Sequence, residues 1–428
     1  MLNKNSSFKF FLKIKIIGSL RSLFLFIFGR KPNTQNWGNR ILVVYLEAIG
    51  DTIALTSILK HFKIAFPGKE IHFLANQSLD LNRILSEFVH QVIPINYRKF
   101  VSNPFFGFLL INKLRKIGYE TVLSPDHSSA EIIGKSICVE LGAKNIIGYE
   151  GFLLPFEKPF DANMEQNIDF VRNVINPKFT KVIPSIDKEN TPKGGLNSVI
   201  KHYIKFYEGL TGNTEKDYAP EIRTTKTDDE KVEKILAGSN ILKNSYIVIN
   251  LGSSQAWKNW PVERFLKVGD FINQKGIPIV LTGSKDEKSI AQKFQRDYPG
   301  KCLNLVGQTS VSEAVSLVKN CKLVFSNDTA PVHIGIALKK PTLCILGGGH
   351  FGKISLYGYA DINHWVYKRA DCFGDNWQCA VNLKSGQITP CIDAVSVESV
   401  SESLEKLLSY LEKNPDAPKE KFSPSYLS

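Results

Sequence analysis

Leu323-Val-Phe-Ser-Asn-Asp-Thr-Ala-Pro-Val-His333 places polar side chains where an apolar strand pattern hands over to a helix. Asp328 or Thr329 suits the N-cap, and Pro331 suits the first turn, where its missing N–H would have no partner. The unpaired N–H groups of that turn then point outward at a strand end. Such a helix start accepts a phosphate or diphosphate, with His333 on the same turn. Lys258, between Trp257 and Trp260 in a Gly- and Ser-containing loop, is either a solvated surface charge or a mobile cation for a diphosphate. Asp51 follows Gly50 near the end of the first strand, so its carboxylate is either a proton acceptor facing a crevice or the cap of the next helix. His127, with Ser128 and Ser129, follows another strand and reads equally as a ligand contact or a helix cap. Gly252, Ser253, Thr282 and Gly283 stand at two further strand ends, where glycine permits close backbone approach.

These residues owe their positions to an alternation of strands and helices. Arg40–Leu46 reads as a buried strand, followed by a helix from Thr52 to Phe66, a turn at Pro67-Gly68 and a strand from Glu70 to Ala75, a βαβ unit that demands a parallel sheet. Strands at 91–95, 121–124 and 145–148 and helices at 106–117 and 129–141 continue the pattern. A second series has strands at 246–251, 277–282, 303–306, 323–326 and 342–346, alternating with helices at 262–274, 285–297, 311–320 and 332–338. The expected divisions are a leader (1–32), a first domain (33–222), a linker with a short helix (223–245), a second domain (246–412) and a flexible tail (413–428). In such sheets ligands lie beyond the carboxyl ends of the strands, and four loops of the second domain converge there.

The formal charge of +13 is concentrated: residues 1–32 hold seven cations and no acidic residue. The remaining surface is too weakly basic to imply nucleic acid, and none is expected as a partner. The leader interleaves its cations with Phe, Ile and Leu, and its longest uncharged stretch, Ser22 to Gly29, is far short of the ~20 residues of a spanning helix. It suits an interfacial helix on an anionic membrane surface, the alternatives being a helix docked on the body of the protein and a disordered basic tail. Seven scattered cysteines imply no disulfide framework, and Cys372, Cys379 and Cys391 lack the paired spacing of a zinc site. No P-loop, H-E-x-x-H or G-x-S-x-G motif appears, and neither a metal nor a cofactor is expected.

Ile41-Leu-Val-Val-Tyr-Leu-Glu-Ala-Ile-Gly-Asp-Thr-Ile-Ala-Leu-Thr-Ser-Ile-Leu59 resembles the opening of glycosyltransferase family 9, the lipopolysaccharide heptosyltransferases. Gly252 to Phe265, Val280 to Glu287, and Asn304 to Ser310 leading into Ser326 to His333 agree with that family in the same order, and the resemblance covers roughly residues 40–411. It implies an α/β, GT-B architecture, two Rossmann-like doubly wound domains facing a central cleft. The implied activity is inverting transfer of a sugar, possibly heptose, from a nucleotide-diphosphate donor such as ADP-heptose to a lipid-linked glycan such as lipopolysaccharide core. A cytoplasmic, peripheral position on the inner membrane face goes with it. By the same resemblance Asp51 is the base and Lys258 pairs with the diphosphate. Asp328, Thr329 and His333 contact the donor, and Gly252, Ser253, Thr282 and Gly283 line the nucleotide. His127 and Ser128 are candidate acceptor contacts. Thr329-Ala-Pro331 and Leu346-Gly-Gly-Gly-His350 depart from the family's usual runs, which leaves the donor sugar and base open. The rival readings are a sugar-nucleotide epimerase and a non-catalytic glycan- or nucleic-acid-binding protein on the same fold.

Overall fold

Aliphatic runs with no polar alternation make strands that are covered on both faces, and that is what Ile41 to Val44 and Leu323 to Asn327 become. The computed structural model describes residues 4–426 apart from 32–36, 80, 129–130, 152–161, 187–196, 350, 353–354, 372, 375–376, 378, 381–382, 385 and 416–417. The chain divides into two units, Met1–Lys216 and Asp217–Ser428.

In the first unit the strands are β1 (Arg40–Val44), β2 (Glu70–Asn76), β3 (Gln91–Ile95), β4 (Thr121–Ser124), β5 (Asn145–Tyr149) and β6 (Lys181–Ile183). All pairings are parallel, in the order β3-β2-β1-β4-β5-β6. The direction of winding reverses between β1 and β4, where Ile41 lies opposite Thr121 and Val43 opposite Leu123. Helices are α1 (Lys4–Phe28), α2 (Ile49–Leu59), α3 (Phe62–Ala65), α4 (Asn82–Leu85), α5 (Tyr97–Ser102), α6 (Pro104–Ile117), α7 (Ile133–Leu141), α8 (Ala162–Phe170) and α9 (Val199–Thr211), and a π-helical turn, Val171–Ile175, follows α8. The helix expected from Thr52 to Phe66 thus starts earlier, after Ala48 in extended backbone, and is interrupted between Leu59 and Phe62. One core joins Leu42 and Val44 of β1 and Val122 of β4 to Ile111, Ile137 and, from α1, Leu25.

The leader therefore joins this unit as a helix. Arg21 is buried and bonded through two nitrogens to the Glu140 carboxylate at 2.7 and 2.8 Å. Its guanidinium stacks over the Phe100 ring at 4.3 Å. Gly107 on α6 makes room for it, since a Cβ there would lie 2.6 Å from the Arg21 Cδ. Among the described residues, no helix is long and apolar enough to cross a membrane.

The second unit repeats the plan with β7 (Ile247–Asn250), β8 (Ile279–Leu281), β9 (Cys302–Asn304), β10 (Leu323–Asn327), β11 (Thr342–Ile345) and β12 (Asn363–Val366). They are again all parallel, in the order β12-β11-β10-β7-β8-β9, so the reversal falls between β7 and β10. Helices are α10 (Lys226–Gly238), α11 (Val262–Gln274), α12 (Lys288–Asp297), α13 (Val311–Lys319), α14 (Ala330–Ala337), α15 (Pro390–Asp393) and α16 (Val397–Lys413). The polar run after Arg223 is the start of α10, with Thr225 as its cap accepting from the Asp228 N–H at 3.2 Å. Where composition suggests a frayed tail, residues 418–426 lie on this unit. Lys419 N–H donates to Asp361 at 2.7 Å, Ser423 pairs with Gly358, and Phe422 packs against Tyr359. Aromatic anchors hold a segment that its Pro and Lys content alone would leave loose.

Candidate active site

Parallel doubly wound sheets open a crevice at the carboxyl ends of the strands where the winding reverses. In each unit residues singled out from sequence follow the strands at that place, while Thr282 and Gly283 follow the neighbouring β8.

In the first unit they follow β1 and β4. The N-cap position of α2 is Ala48, so Asp51 does not cap the helix; it stands in the first turn, with its side chain 20% exposed. The segment after β4 brings His127 to it, with Nε2 3.9 Å from the Asp51 Oδ1. On its other side the buried imidazole offers Nδ1 to the Tyr203 hydroxyl at 3.2 Å and the Tyr45 hydroxyl at 3.4 Å. Those hydroxyls are 2.5 Å apart, and that of Tyr203, on α9, also reaches the Asp51 carbonyl at 3.3 Å. A tyrosine hydroxyl donating to Nδ1 puts the ring proton on Nε2, the nitrogen facing Asp51. Burial lowers the His127 pKa, with Asp126 opposing, which favours the neutral ring.

Beneath this pair lies a group of acids. Burial pushes Glu47 well up, reinforced by Asp126 and Asp51, and also raises Asp126, whose carboxyl is hydrogen-bonded to that of Glu47. Glu131 is pushed up to about 7 by burial and by Asp126. Its oxygens accept from the N–H groups of Ile133 at 3.0 Å and Gly134 at 2.7 Å, at the start of α7. Lys135, also buried, donates to the Tyr149 carbonyl at 3.0 Å. Ser128 N–H donates to Asp126 at 2.7 Å, so Ser128 helps fold the His127 loop, while Ser129 lies outside the described residues.

In the second unit Thr329 holds the N-cap position of α14 without a capping bond from its side chain. Its hydroxyl instead donates to Asn250 Oδ1 at 3.1 Å and meets Ser326 Oγ at 3.0 Å, tying β10 to β7. Asp328 accepts from the Ser355 hydroxyl at 2.8 Å through Oδ2, while Oδ1, buried without a hydrogen-bond donor among the described residues, lies 3.7 Å from His333 Nε2. His333 is buried, not a surface residue, and its Nδ1 meets the Tyr357 hydroxyl at 2.5 Å with the two rings stacked.

Lys258 lies in a short turn after β7, its ammonium 4.5 Å from the centre of the Trp377 ring and 5.2 Å from that of Trp257. Trp260 is core, its backbone N–H bonded to Asn327 Oδ1 at 3.0 Å and its indole to the Val395 carbonyl at 2.9 Å. Asn327 also donates to the Leu251 carbonyl at 2.9 Å, so the end of β10 fixes the Lys258 loop. Ser253 steadies the same loop, donating to Asn259 Oδ1 at 2.7 Å. Gly347, Gly348 and Gly349, after β11, pass under Trp377 and Phe373, where any Cβ would strike a ring.

Glu287 was not among the residues singled out from sequence. It accepts from Asn250 Nδ2 at 2.8 Å and Ser284 Oγ at 3.0 Å, and a Cβ on Gly252 would lie 2.6 Å from its Cγ. Gly252 and Gly283 thus leave space for a carboxylate that spans the loops after β7 and β8. The Thr282 hydroxyl is buried nearby without a hydrogen-bond partner among the described residues. Among the described residues, no group of three or more His, Cys, Asp or Glu could hold a metal ion. Cys391 accepts from the Gly348 N–H at 3.2 Å, and Cys372 lies outside the described residues.

Residues 185–387 match glycosyltransferase family 9 (heptosyltransferase). Lipooligosaccharide heptosyltransferase 2 of Haemophilus ducreyi is 36% identical over 88 residues, which are 20% of this chain and 25% of that protein. The chain therefore aligns with about a quarter of that relative's length. Among solved structures, the glycosyl transferase family 9 protein of Veillonella parvula superposes with a TM-score of 0.64 at 18% identity, covering 86% of this chain and 97% of that one. The ADP-heptose LPS heptosyltransferase II of E. coli gives a TM-score of 0.59 at 16% identity, covering 88% and 100%. These likenesses establish the fold as that of the GT-B heptosyltransferase structures, two parallel six-stranded α/β sheets. The match of residues 185–387 and the fold of both units make the chain similar to glycosyltransferase family 9, the lipopolysaccharide heptosyltransferases.

Proposed function

We propose that the protein transfers heptose from ADP-heptose to a lipid-linked glycan, the core of lipopolysaccharide, with inversion at the anomeric carbon. The observation that carries this reading is the division of chemistry between the two reversal points. One holds a mostly buried carboxylate beside a neutral imidazole, Asp51 and His127. The other holds a helix start without a side-chain cap, a lysine over two indoles and the carboxylates of Asp328 and Glu287. The relative of similar fold from E. coli is named for ADP-heptose.

In the reaction Asp51 accepts the proton of the acceptor hydroxyl as its oxygen attacks the anomeric carbon. In this reading His127 and Ser128, on one loop, orient that acceptor. The bond from the anomeric carbon to the diphosphate breaks, and the departing charge is met by the first N–H groups of α14, with Thr329 at its start, and by the Lys258 ammonium. Asp328, held by Ser355 and close to His333, is suited to accept from a sugar or ribose hydroxyl and not to meet a second negative charge. Glu287 and Thr282 offer polar atoms to the nucleoside, while Gly252, Ser253 and Gly283 shape the loops around it. Direct displacement inverts the anomeric centre because the acceptor oxygen enters opposite the leaving diphosphate.

The acceptor is amphiphilic, and the leader suits such a substrate. On α1 the exposed Ile16, Leu20, Leu23 and Ile27 recur at helical spacing along one stripe, opposite the buried Arg21 and Leu25. A helix apolar on two faces needs cover on both. One face has the sheet domain, and an anionic bilayer covers the other, which makes the protein peripheral on the cytoplasmic face of the membrane. No nucleic-acid partner is invoked.

The test is incubation with ADP-heptose and a heptose-deficient core acceptor, reading ADP release, product mass and anomeric configuration. Acceptor-dependent ADP release with an inverted linkage is expected, and Asp51→Asn should lower kcat by about 10²–10⁴-fold. ADP binding without transfer to any core acceptor would refute the activity, and a retained configuration would refute the mechanism.

A further inference from the structure

Two side chains between β11 and β12 brace Asp328 and His333 in the second unit. Ser355 donates its hydroxyl to Asp328 Oδ2 at 2.8 Å. The Tyr357 hydroxyl lies 2.5 Å from His333 Nδ1, and its ring is stacked on the imidazole with 5.8 Å between centres. On its other side His333 turns Nε2 to Asp328 Oδ1 at 3.7 Å. In a neutral ring a carboxylate oxygen so placed favours the proton on Nε2 and leaves Nδ1 to accept from the Tyr357 hydroxyl. The orientation of both residues is therefore coupled to the conformation of 355–357.

That conformation is not one the segment adopts by local preference. Leu356 has φ +70°, a left-handed backbone that a leucine keeps only where its surroundings impose it. The surroundings come from residues 422–426. The Tyr426 N–H donates to the Leu356 carbonyl at 2.8 Å, and Gly358 and Ser423 exchange backbone bonds of 3.0 and 2.8 Å. The Phe422 ring lies 6.3 Å from Tyr357 and 5.6 Å from Tyr359, centre to centre. Leu356 and Tyr357 are completely buried. A strained leucine is thus pinned by bonds on both sides and by an aromatic cover, all supplied by a segment remote in sequence.

We propose that residues 422–426 are a strap that positions the donor-binding end of the second unit, acting through Tyr357 on His333 and through Ser355 on Asp328. The inference rests on the reading of Asp328 and His333 as donor contacts. Phe422 and Tyr426 are positioning residues, since they act through the segment they hold. Coupling of this kind is reciprocal: a strap that favours the donor-competent arrangement is itself stabilised when the donor binds.

The experiment is hydrogen exchange of the full chain with and without ADP-heptose. The donor should slow exchange at 329–334 and, by the same coupling, at 355–359 and 422–426. Slowing at 329–334 alone would overturn the proposal, and this arm depends on no variant folding. Without ligand, Phe422→Ala should speed exchange at 355–359 and 329–334 while β7 and β8 keep their protection. Unchanged exchange at 329–334 in that variant would equally overturn it. Because this second arm uses no nucleotide, a failure of the unaltered chain to bind ADP-heptose would count against the transfer reading, while the bracing is decided separately. Calorimetric titration with ADP-heptose then distinguishes positioning from a general loosening. Tyr357→Phe keeps the ring and loses the hydroxyl, and it should weaken binding roughly fivefold in the unaltered chain and hardly at all in His333→Ala. Equal losses in both backgrounds would show that the tyrosine serves the core alone and would overturn the proposed route through His333. Phe422→Leu, which keeps an apolar cover, should restore most of the affinity that Phe422→Ala loses.

Discussion

At Lys258 the indole faces of Trp257 and Trp377 hold the ammonium by an attraction of about 0.5–2 kcal/mol. In the proposed site Lys258→Ala should weaken ADP binding about 10–100-fold, the loss of one charge-assisted contact of roughly 1.5–3 kcal/mol. AMP, with no second phosphate, should be affected far less, and calorimetric titration of both nucleotides separates the two cases. Equal losses would place Lys258 elsewhere than at the diphosphate. Glu131 permits a test of a different kind. Its carboxyl ionises near 4.5 when free and near 7 in the fold. Between those values the folded protein keeps a proton that the unfolded chain has released, so stability falls as pH rises through that window. Glu47 and Asp126, also raised by burial, act in the same direction. His127, lowered by burial, acts oppositely and costs stability as pH falls below about 6.5. Glu131→Gln should therefore flatten, without abolishing, the decline in urea midpoint between about pH 4.5 and 7, even though it also loses part of the helix start it holds.

At the scale of elements, the described contacts that hold α1 to the sheet domain centre on the buried Arg21–Glu140 ion pair, with Leu25 in the core beside it, so removing Arg21 should loosen the helix. Arg21→Met leaves the Glu140 carboxylate buried without its partner, at a cost of about 3–5 kcal/mol. The expected outcome is rapid hydrogen exchange along residues 13–28 with the strands still protected. Adding Glu140→Met should restore part of that protection. Much of this architecture is legible in sequence, because strands covered on both faces read as unbroken aliphatic runs that stop at polar residues. The ends of β1, β4, β7 and β10 are visible in that way, and with them Asp51, His127, Gly252 and Asp328. β6 and β12 are not, being edge strands of three and four residues with too few side chains to show a pattern. Glu287 is hidden for another reason: three residues after Ser284, it reads as a helix-capping pair, and only the closeness of Gly252 and Asn250 shows its position. Trp377 and Tyr357 are supplied from distant parts of the chain, and the contact of His127 with Asp51 depends on the strand order. Composition likewise could not foretell that Phe422 and Tyr426 would anchor the last residues.

For the molecule as a whole, the proposed membrane attachment combines two forces that respond differently to salt. Of the net charge of +13, seven positive charges lie in residues 1–32, and α1 exposes Phe26 at 89% and Phe28 at 70% beside its outward stripe. Each cation near an anionic surface contributes roughly 1 kcal/mol, and that contribution fades beyond a Debye length of about 8 Å at physiological ionic strength. Inserted apolar side chains are not screened. Flotation with vesicles containing phosphatidylglycerol should therefore show strong binding at low salt, weaker but persistent binding at high salt, and little binding to vesicles of phosphatidylcholine alone. Leu23→Ser with Ile27→Ser should remove the salt-resistant part and leave the salt-sensitive part. Lys13→Gln with Lys31→Gln should do the reverse. If both pairs changed binding equally at every salt concentration, α1 would be acting only as a packing element of the first unit, and the anionic bilayer would have to be replaced by another cover for its outer face.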